Sequence, residues 1–185
     1  LSLRKVDLAK MHLILGGGKE ELFKEIISNE VNFSFREKKD LRDFILNFQL
    51  TSKEQEDIFK RINETDFLKV EQYIDKNNIR IVTIFDSEYP ETLRNVFSPP
   101  SILYLTGEIK DHFRIAVVGP RSPSVYAKEV TRKIVRVLSE NNISIVSGMA
   151  SGIDRIAHEE SCLASAGSIG VLGAGIDVVY PKDNF

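Results

Sequence analysis

Arg-Ile-Ala-Val-Val at 114–118 leads into Gly-Pro-Arg-Ser-Pro at 119–123, and the same arrangement of an apolar stretch followed by glycine returns twice. The stretch 143–146 precedes Ser-Gly-Met-Ala-Ser-Gly at 147–152, and 169–172 precedes Gly-Ala-Gly at 173–175. Helical patterns at 125–141 and 153–164 separate the three stretches. Apolar strands that alternate with helices predict a parallel sheet and an α/β fold. Ligands of such sheets bind beyond the carboxyl ends of the strands, which here carry the glycines.

The region before these strands has a different sequence pattern. Residues 1–76 are predicted to form a helical N-terminal domain, in which the glycines at 16–18 interrupt the helical spacing. A plain structural domain and a degenerate helix-hairpin-helix, which binds the DNA backbone, both fit this opening. Residues 77–185 are predicted to form a Rossmann-like domain with short strands at 79–85 and 102–105 as its lead-in. We expect this domain to be incomplete at its C-terminal end, because its sheet needs further strands.

A capping box is predicted at the start of one N-terminal helix. Thr51 or Ser52 would pair there with Gln55.

Composition excludes several classes of protein. Hydrophobic residues make up 42% and charged residues 28% of the 185, which is typical of a folded domain and not of a disordered chain. No apolar run is long enough to span a bilayer. The one cysteine, Cys162, excludes an internal disulfide and favours a cytoplasmic location. The net charge of −2 does not indicate a nucleic-acid binder, so any basic footprint has to be local.

The first glycine turn, 119–123, offers such a local footprint. Gly119 and Arg121 precede a helix whose N-terminal amides favour an anion, and the guanidinium suits phosphate oxygens. Lys128, Arg132 and Arg136 follow at helical spacing. We expect them on the face opposite the sheet, with Ala127, Val130, Ile134, Val137 and Leu138 facing it. A solvated helix face and a track for a nucleic-acid backbone both fit this basic stripe.

The second and third glycine turns, 147–152 and 173–175, likewise place glycines at the end of a predicted strand. Gly148 and Gly152 let the backbone approach a ligand closely, and Ser147 adds a hydroxyl. Asp154 would cap the next helix or hold a sugar or base donor. His158 lies one helical turn later, where a bracing hydrogen bond is favoured over a metal or an acid–base pair, because no third ligand has suitable spacing.

Familiar nucleotide motifs are absent from these turns. The first turn lacks G-x-G-x-x-G, no acidic residue ends the second strand, and no G-K-[ST] occurs anywhere. No nucleophile is recognisably paired with a base. The sequence therefore predicts a binding protein with no cofactor, no metal and no catalytic residue.

The residues quoted above resemble the DprA/Smf family of DNA-processing proteins. The resemblance is strong over about residues 79–185. It is carried by the three glycine turns and by Tyr126, Ala157-His158, Tyr180-Pro181 and Asn184, with an upstream block of Tyr89-Pro90, Leu93, Pro99-Pro100, Leu103-Tyr104 and Gly107.

The resemblance implies a recombination mediator that binds single-stranded DNA, forms homodimers and loads RecA, as in natural transformation, and is not an enzyme. The predicted DNA- or phosphate-binding residues combine positions that the resemblance implies with neighbouring ones predicted from the sequence. They are Gly119, Arg121, Ser122, Lys128, Arg132, Ser147, Gly148, Gly152, Asp154, Gly173 and Gly175.

The sequence also departs from that family. Pro120 stands where the family has Thr or Ser, which removes a hydroxyl and an amide donor. Ala127, Ser151 and Gly167 replace other typical residues, so the pocket is expected to be weaker or altered. The alternative from another class is a nucleotide-binding or nucleotide-hydrolysing protein of the LOG-like phosphoribohydrolase type. That type carries a P-G-G-x-G-T-x-x-E signature, which these 185 residues do not contain.

Overall fold

The computed structural model describes residues 5–16, 19–28, 37–110 and 113–181. The chain divides into two compact units, Leu1–Gly107 and Glu108–Phe185, which we call the N-terminal and C-terminal units. Gly17 and Gly18 of the predicted interruption lie outside the described residues. The predicted domain boundary between 76 and 77 stays a prediction.

The N-terminal unit combines helices with one antiparallel pair of strands. Its elements are α1 (Lys5–Leu15), α2 (Glu20–Ser28), α3 (Lys38–Ile45), α4 (Ser52–Glu64), α5 (Phe67–Lys76), β1 (Arg80–Thr83), α6 (Glu91–Arg94) and β2 (Ile102–Leu105). Strands β1 and β2 pair with Arg80 opposite Leu105. Ile81 and Ile102 belong to the same buried core as Met11, Phe23 and Ile62 of the helices. A two-stranded ribbon is marginal alone, so burial against helices stabilises it.

One local expectation for this unit is tested by its hydrogen bonds. The capping box of α4 pairs Thr51 with Glu54, so the predicted partner Gln55 was wrong by one residue. The capping geometry requires the third helical residue, and Ser52 is the first. Arg61 of α4 donates to the carbonyl oxygens of Ile14 and Leu15. It thereby supplies hydrogen bonds to carbonyl groups at the C-terminal end of α1, where the helix itself offers no donor.

The C-terminal unit is the predicted alternation of strands and helices. Its elements are β3 (Arg114–Ala116), α7 (Val125–Glu140), β4 (Ser144–Ser147), α8 (Ile153–Ser161) and β5 (Ser168–Gly170). The strands are parallel in the order β3-β4-β5. The predicted fold class, a Rossmann-like parallel sheet preceded by a helical region, is confirmed. The predicted starts of β3, α7 and α8 match the observed ones, and the other predicted ends differ by one to three residues, because fraying ends are the least determined part of a periodic pattern.

Both helices of this unit pack on one face of the sheet. Ile145 of β4 is fully buried with Val135 of α7 and Ala157 of α8. Since α7 and α8 touch each other and both touch β4, they lie side by side. This is what two successive right-handed crossovers in the same direction produce. Side chains alternate along a strand, so Ala116, Val146 and Ile169, which are paired in register, face the other side.

The orientation of α7 differs from the expected one. Its buried residues are Val135 and Ser139, whereas Ile134 and Val137 are 51% and 58% exposed. The expected sheet-facing set was therefore wrong at those two positions. The helix is rotated because it contacts α8 as well as the sheet, which a one-sided amphipathic pattern does not reveal.

Within the described residues, no helix is both long enough and apolar enough to cross a membrane.

Candidate functional site

The first two glycine turns are joined through the start of α8. The amide of Ile153 donates to the carbonyl oxygen of Pro120 at 3.3 Å. A Cβ on Gly119 would lie 2.7 Å from the Ile153 side chain, so glycine is needed for the two turns to approach this closely. Gly152 has φ of +86°, and a Cβ there would lie 2.6 Å from the Arg121 carbonyl oxygen. These contacts make the two turns one rigid edge of the sheet.

The third turn adjoins the second at the ends of β4 and β5. The amide of Val171 donates to the Ser147 carbonyl oxygen at 2.8 Å. A Cβ on Gly170 would lie 2.8 Å from the Met149 side chain, which therefore rests on the end of β5. Met149 itself has φ of +58°, a conformation that non-glycine residues rarely adopt. Gly173 and Gly175 are both exposed, and no atom of the described residues lies within 4 Å of a Cβ built on Gly173.

Two of the predicted site residues use their side chains inside the protein. Ser147 is buried, and its hydroxyl donates to the Val117 carbonyl oxygen at 2.6 Å. Asp154 is buried too, and its carboxylate accepts from the Gly148 amide at 3.1 Å. Asp154 does not cap α8, because the cap residue is Gly152. Both side chains hold the second turn in shape.

His158 makes a hydrogen bond that joins α8 to the start of β5, the bracing contact that the sequence analysis favoured. Its Nδ1 lies 3.0 Å from the hydroxyl of Ser168 at the start of β5. No hydrogen bond joins it to Asp154 in the part of the chain that the structure describes. Burial lowers the pKa of His158, while the Asp154 charge and the Ser147 backbone act in the opposite direction. Among the described residues, no three His, Cys, Asp or Glu side chains are grouped as a metal site would require.

The basic stripe of α7 separates into paired and unpaired cations. Arg132 and Arg136 both contact Glu160 of α8, at 3.5 Å and 3.0 Å, and the Glu160 side chain is only 10% exposed. These two arginines join α7 to α8. Lys128, by contrast, is exposed and has no carboxylate partner among the described residues.

The first turn presents its polar groups to solvent. Arg121 and Ser122 are exposed, and within the described ranges no carboxylate or carbonyl oxygen engages the Arg121 guanidinium. Ser124 caps α7 by accepting from the Ala127 amide at 3.2 Å. The preceding amides of Val125 and Tyr126 have no acceptor in the described part of the chain. The turn therefore offers a planar cation, a hydroxyl and two backbone donors to an anion.

Two exposed residues of α7 were missed by the sequence reasoning. Tyr126 is 76% exposed, and Lys133 lies seven residues later on the same face of the helix. Neither has a partner among the described residues. Their signal was present in the sequence as helical spacing, but the side of α7 that meets solvent was not known.

The fold and these turns define a class of protein: an α/β protein with a Rossmann-like sheet whose strand ends form a rigid, glycine-built edge with an arginine that has no partner among the described residues. The family model of DNA recombination-mediator protein A matches residues 80–185, more than half of the chain. The chain therefore belongs to the DNA recombination-mediator protein A family.

Individual relatives are similar over parts of the chain. Protein Smf from Synechocystis is 36% identical over 134 residues, which is 69% of this chain and 33% of that protein. The DNA processing protein DprA from Bacillus subtilis is 32% identical over 112 residues, 59% of this chain and 38% of that protein. The chain thus spans about a third of the length of these curated relatives.

Solved structures agree with the fold. The X-ray structure of DprA from Streptococcus pneumoniae superposes with a TM-score of 0.72 at 25% identity, over 100% of this chain and 62% of that one. A structure of DprA from Helicobacter pylori, described as giving insights into its single-stranded DNA binding mode, has a TM-score of 0.50 and 31% identity. The match covers 58% of this chain and 49% of that one.

Proposed function

We propose that this chain binds single-stranded DNA as part of a recombination mediator and performs no catalytic turnover. The observation that carries the proposal is the exposed, unpaired guanidinium of Arg121 on the rigid edge formed by the first two glycine turns, within the part of the chain that the structure describes. Phosphate contacts dominate the affinity of proteins for nucleic acids, and arginine matches phosphate oxygens with paired donors.

The division of labour among the site residues supports this proposal. Ser147 and Asp154 are engaged in internal hydrogen bonds, so the groups left for a ligand are Arg121, Ser122 and the first amides of α7. These are donors and a cation, which suit an anionic backbone. In this arrangement Gly173 leaves the edge open to an extended strand, because a Cβ there would meet no atom of the described residues within 4 Å. Gly148, Gly152 and Gly175 instead allow close packing within the protein, since a Cβ on each would meet Asp154, the backbone of the first turn and Asp177, respectively.

The same division argues for binding without chemistry. The Asp154 carboxylate already accepts from the Gly148 amide, and the Ser147 hydroxyl already donates to Val117. Neither is positioned as a general base or a nucleophile toward the exposed edge. No cofactor or metal enters the proposal.

The finer assignment follows the family. The relatives named DprA and Smf support a role in DNA processing, and a relative from Helicobacter pylori is described by its single-stranded DNA binding mode. We extend this to RecA loading in the cytoplasm, including natural transformation, and to a homodimer. Contacts to RecA and to a second subunit are assigned to no residue of this chain.

The test is fluorescence anisotropy with labelled oligo-dT, single- and double-stranded, at several salt concentrations. We expect preference for the single strand and a log–log salt slope of about −0.7 per phosphate contacted. Arg121→Ala should weaken binding and reduce the magnitude of that slope by about 0.7. Arg80→Ala, an exposed arginine of the N-terminal unit that pairs with Glu88, is the matched control and should bind as the wild type does.

Two results would contradict the proposal. Equal binding of single- and double-stranded DNA would contradict the preference for the single strand, and unchanged affinity in Arg121→Ala would remove the edge from DNA recognition. Release of a free base from nucleoside monophosphates would instead support the phosphoribohydrolase alternative.

A further inference from the structure

The exposed face of α7 carries an aromatic ring beside the phosphate-binding groups. Tyr126 is 76% exposed, and neither its ring nor its hydroxyl has a partner among the described residues. An exposed tyrosine without a partner leaves a flat apolar surface in water. Because the ring is open to solvent, a planar partner can stack on it.

The charges around this ring select the kind of partner. Arg121 lies in the turn just before α7, and Lys133 follows Tyr126 by seven residues, which is about 10 Å along a helix. Both cations are exposed and unpaired within the described ranges, unlike Arg132 and Arg136, which Glu160 engages. The exposed carboxylate of Glu129 also lies on this face, between Tyr126 and Lys133, so two cations and one anion surround the ring. A flat aromatic group with an excess of cations around it suits an anionic chain that carries planar bases.

We propose that Tyr126 is a base-stacking residue for single-stranded DNA, with Lys133 contacting the backbone further along the same face of α7. The inference rests on the proposed function and adds a determinant that distinguishes single from double strands. Bases in a duplex are stacked on each other, so only an unpaired base can cover the Tyr126 ring. Arg121 binds phosphate in either case, whereas Tyr126 requires a free base.

The position of Tyr126 in α7 explains why this residue can serve both parts of a nucleotide. Its backbone amide belongs to the first turn of the helix and has no acceptor among the described residues, and its side chain leaves the same point toward solvent. Val125, the next residue back, is also largely exposed and extends the apolar surface. A phosphate near the amides therefore has a stacking surface within reach of its own base.

The first experiment compares two single strands with the same backbone. Labelled oligo-dT and an abasic oligonucleotide of equal length present identical phosphates, but only the first presents bases. We expect the wild type to bind oligo-dT more tightly than the abasic strand, and Tyr126→Ala to bind the two nearly equally. The loss on oligo-dT should be at least about fivefold, since stacking on an aromatic side chain is worth roughly that much or more per base.

Conservative variants separate stacking from a structural role. Tyr126→Phe and Tyr126→Trp keep a ring and should keep the preference for oligo-dT. The chain contains no tryptophan, so the indole introduced by the second variant is its sole tryptophan fluorophore. Its emission should be quenched by oligo-dT and not by the abasic strand. Tyr73→Ala, at a partly exposed tyrosine of α5, is the control and should behave as the wild type.

The salt dependence separates Tyr126 from Lys133. Tyr126→Ala should keep the wild-type salt slope, whereas Lys133→Ala should lower its magnitude by about 0.7 on both strands. Circular dichroism and the urea midpoint of each variant should match the wild type, because both side chains are exposed.

The outcomes that overturn the inference differ from those that overturn the proposed function. If Tyr126→Ala binds oligo-dT as the wild type does, or weakens both strands equally, Tyr126 does not stack on bases and the DNA proposal still stands. If that variant instead changes the oligomeric state in sedimentation with unchanged DNA affinity, this face of α7 contacts protein. If the wild type binds neither strand, the proposed function and this inference are both wrong.

Discussion

The amide nitrogen of Ile153 lies 3.3 Å from the carbonyl oxygen of Pro120, so the first turn of α8 is bonded to the turn that precedes α7. Proline at 120 removes a side-chain hydroxyl and an amide donor from the first turn. Its carbonyl oxygen still joins the two turns. Pro120 therefore takes part in the junction between the glycine turns through its carbonyl oxygen.

The junction predicts different costs for two glycine substitutions. Gly152→Ala should destabilise the protein by about 2 kcal/mol or more, because φ is +86° and the added Cβ would meet the backbone of Pro120 and Arg121. Gly173→Ala should leave stability within about 0.5 kcal/mol, since no atom in the described part of the chain lies within 4 Å of its Cβ position. Urea unfolding monitored by circular dichroism measures both. Equal stability of the two variants would show that the turns do not pack as described.

Asp154 should act on DNA binding through the backbone. Asp154→Ala leaves the Gly148 amide without its acceptor and should cost about 1–2 kcal/mol of stability and weaken oligo-dT binding. Asp154→Asn retains an oxygen that can accept from the amide, so it should recover most of both. Urea unfolding and anisotropy on the same samples give the comparison. An Asn variant that is fully stable and yet as weak as Ala toward DNA would mean that the carboxylate contacts the ligand itself.

The two arginines Arg121 and Arg132 should have opposite phenotypes. Arg132→Ala removes one partner of the nearly buried Glu160 and should lower stability by about 1 kcal/mol, with DNA affinity changed less than about twofold. Arg121→Ala should lower DNA affinity and leave stability unchanged, because the residue is exposed and unpaired among the described residues. Thermal unfolding and anisotropy of both variants test this. Loss of DNA affinity without loss of stability in Arg132→Ala would return that residue to the binding surface.

The Glu160 carboxylate gives a matched variant for the same contact. Glu160→Gln keeps the shape and removes the charge that holds Arg132 and Arg136. It should lower stability by a similar amount, and the two released arginines should leave DNA affinity equal or higher. Weaker DNA binding by Glu160→Gln with wild-type stability would contradict this division of roles.

Stability should fall as the pH is lowered below 6.5. Burial lowers the pKa of His12 and of His158 from 6.5, with partial opposition from Glu20 at His12 and from Asp154 at His158. The unfolded chain then binds protons more readily than the folded one between those lowered values and 6.5. The contribution of both residues is therefore complete above pH 6.5 and is lost as the pH falls through that range.

Equilibrium urea unfolding between about pH 5 and 7.5 measures this dependence. His12→Gln and His158→Gln should each flatten the slope of the unfolding free energy against pH. His12 lies in the N-terminal unit beside Tyr104, with its Nδ1 3.0 Å from the tyrosine hydroxyl, whereas His158 lies in the C-terminal unit. If neither substitution alters the slope of the unfolding free energy against pH, other groups cause the loss of stability at low pH.

Much of the architecture follows from the sequence alone. The alternation of apolar strands and helices after residue 113 determines the parallel sheet, because each strand and helix has its own local period. The glycine turns are equally local: a strand that ends in glycine and is followed by a helix places an open backbone at the sheet edge. Strand β2 has the same limits, 102–105, as the sequence predicts. The ends of the other elements were less well determined, since terminal residues make fewer hydrogen bonds.

The roles of the side chains required the tertiary structure. In the sequence, Ser147 and Asp154 cannot be told apart from ligand-binding residues, because both are polar side chains beside the glycines of a turn. Only their hydrogen bonds to Val117 and Gly148 show that they brace the turn. The rotation of α7 about its axis was decided by its contact with α8. Glu160 of α8 forms ion pairs with Arg132 and Arg136. Tyr126 and Lys133 are left exposed to solvent. Helical spacing determines which residues share a face, but the neighbouring elements decide which face is buried, because burial depends on contacts between segments distant in the chain.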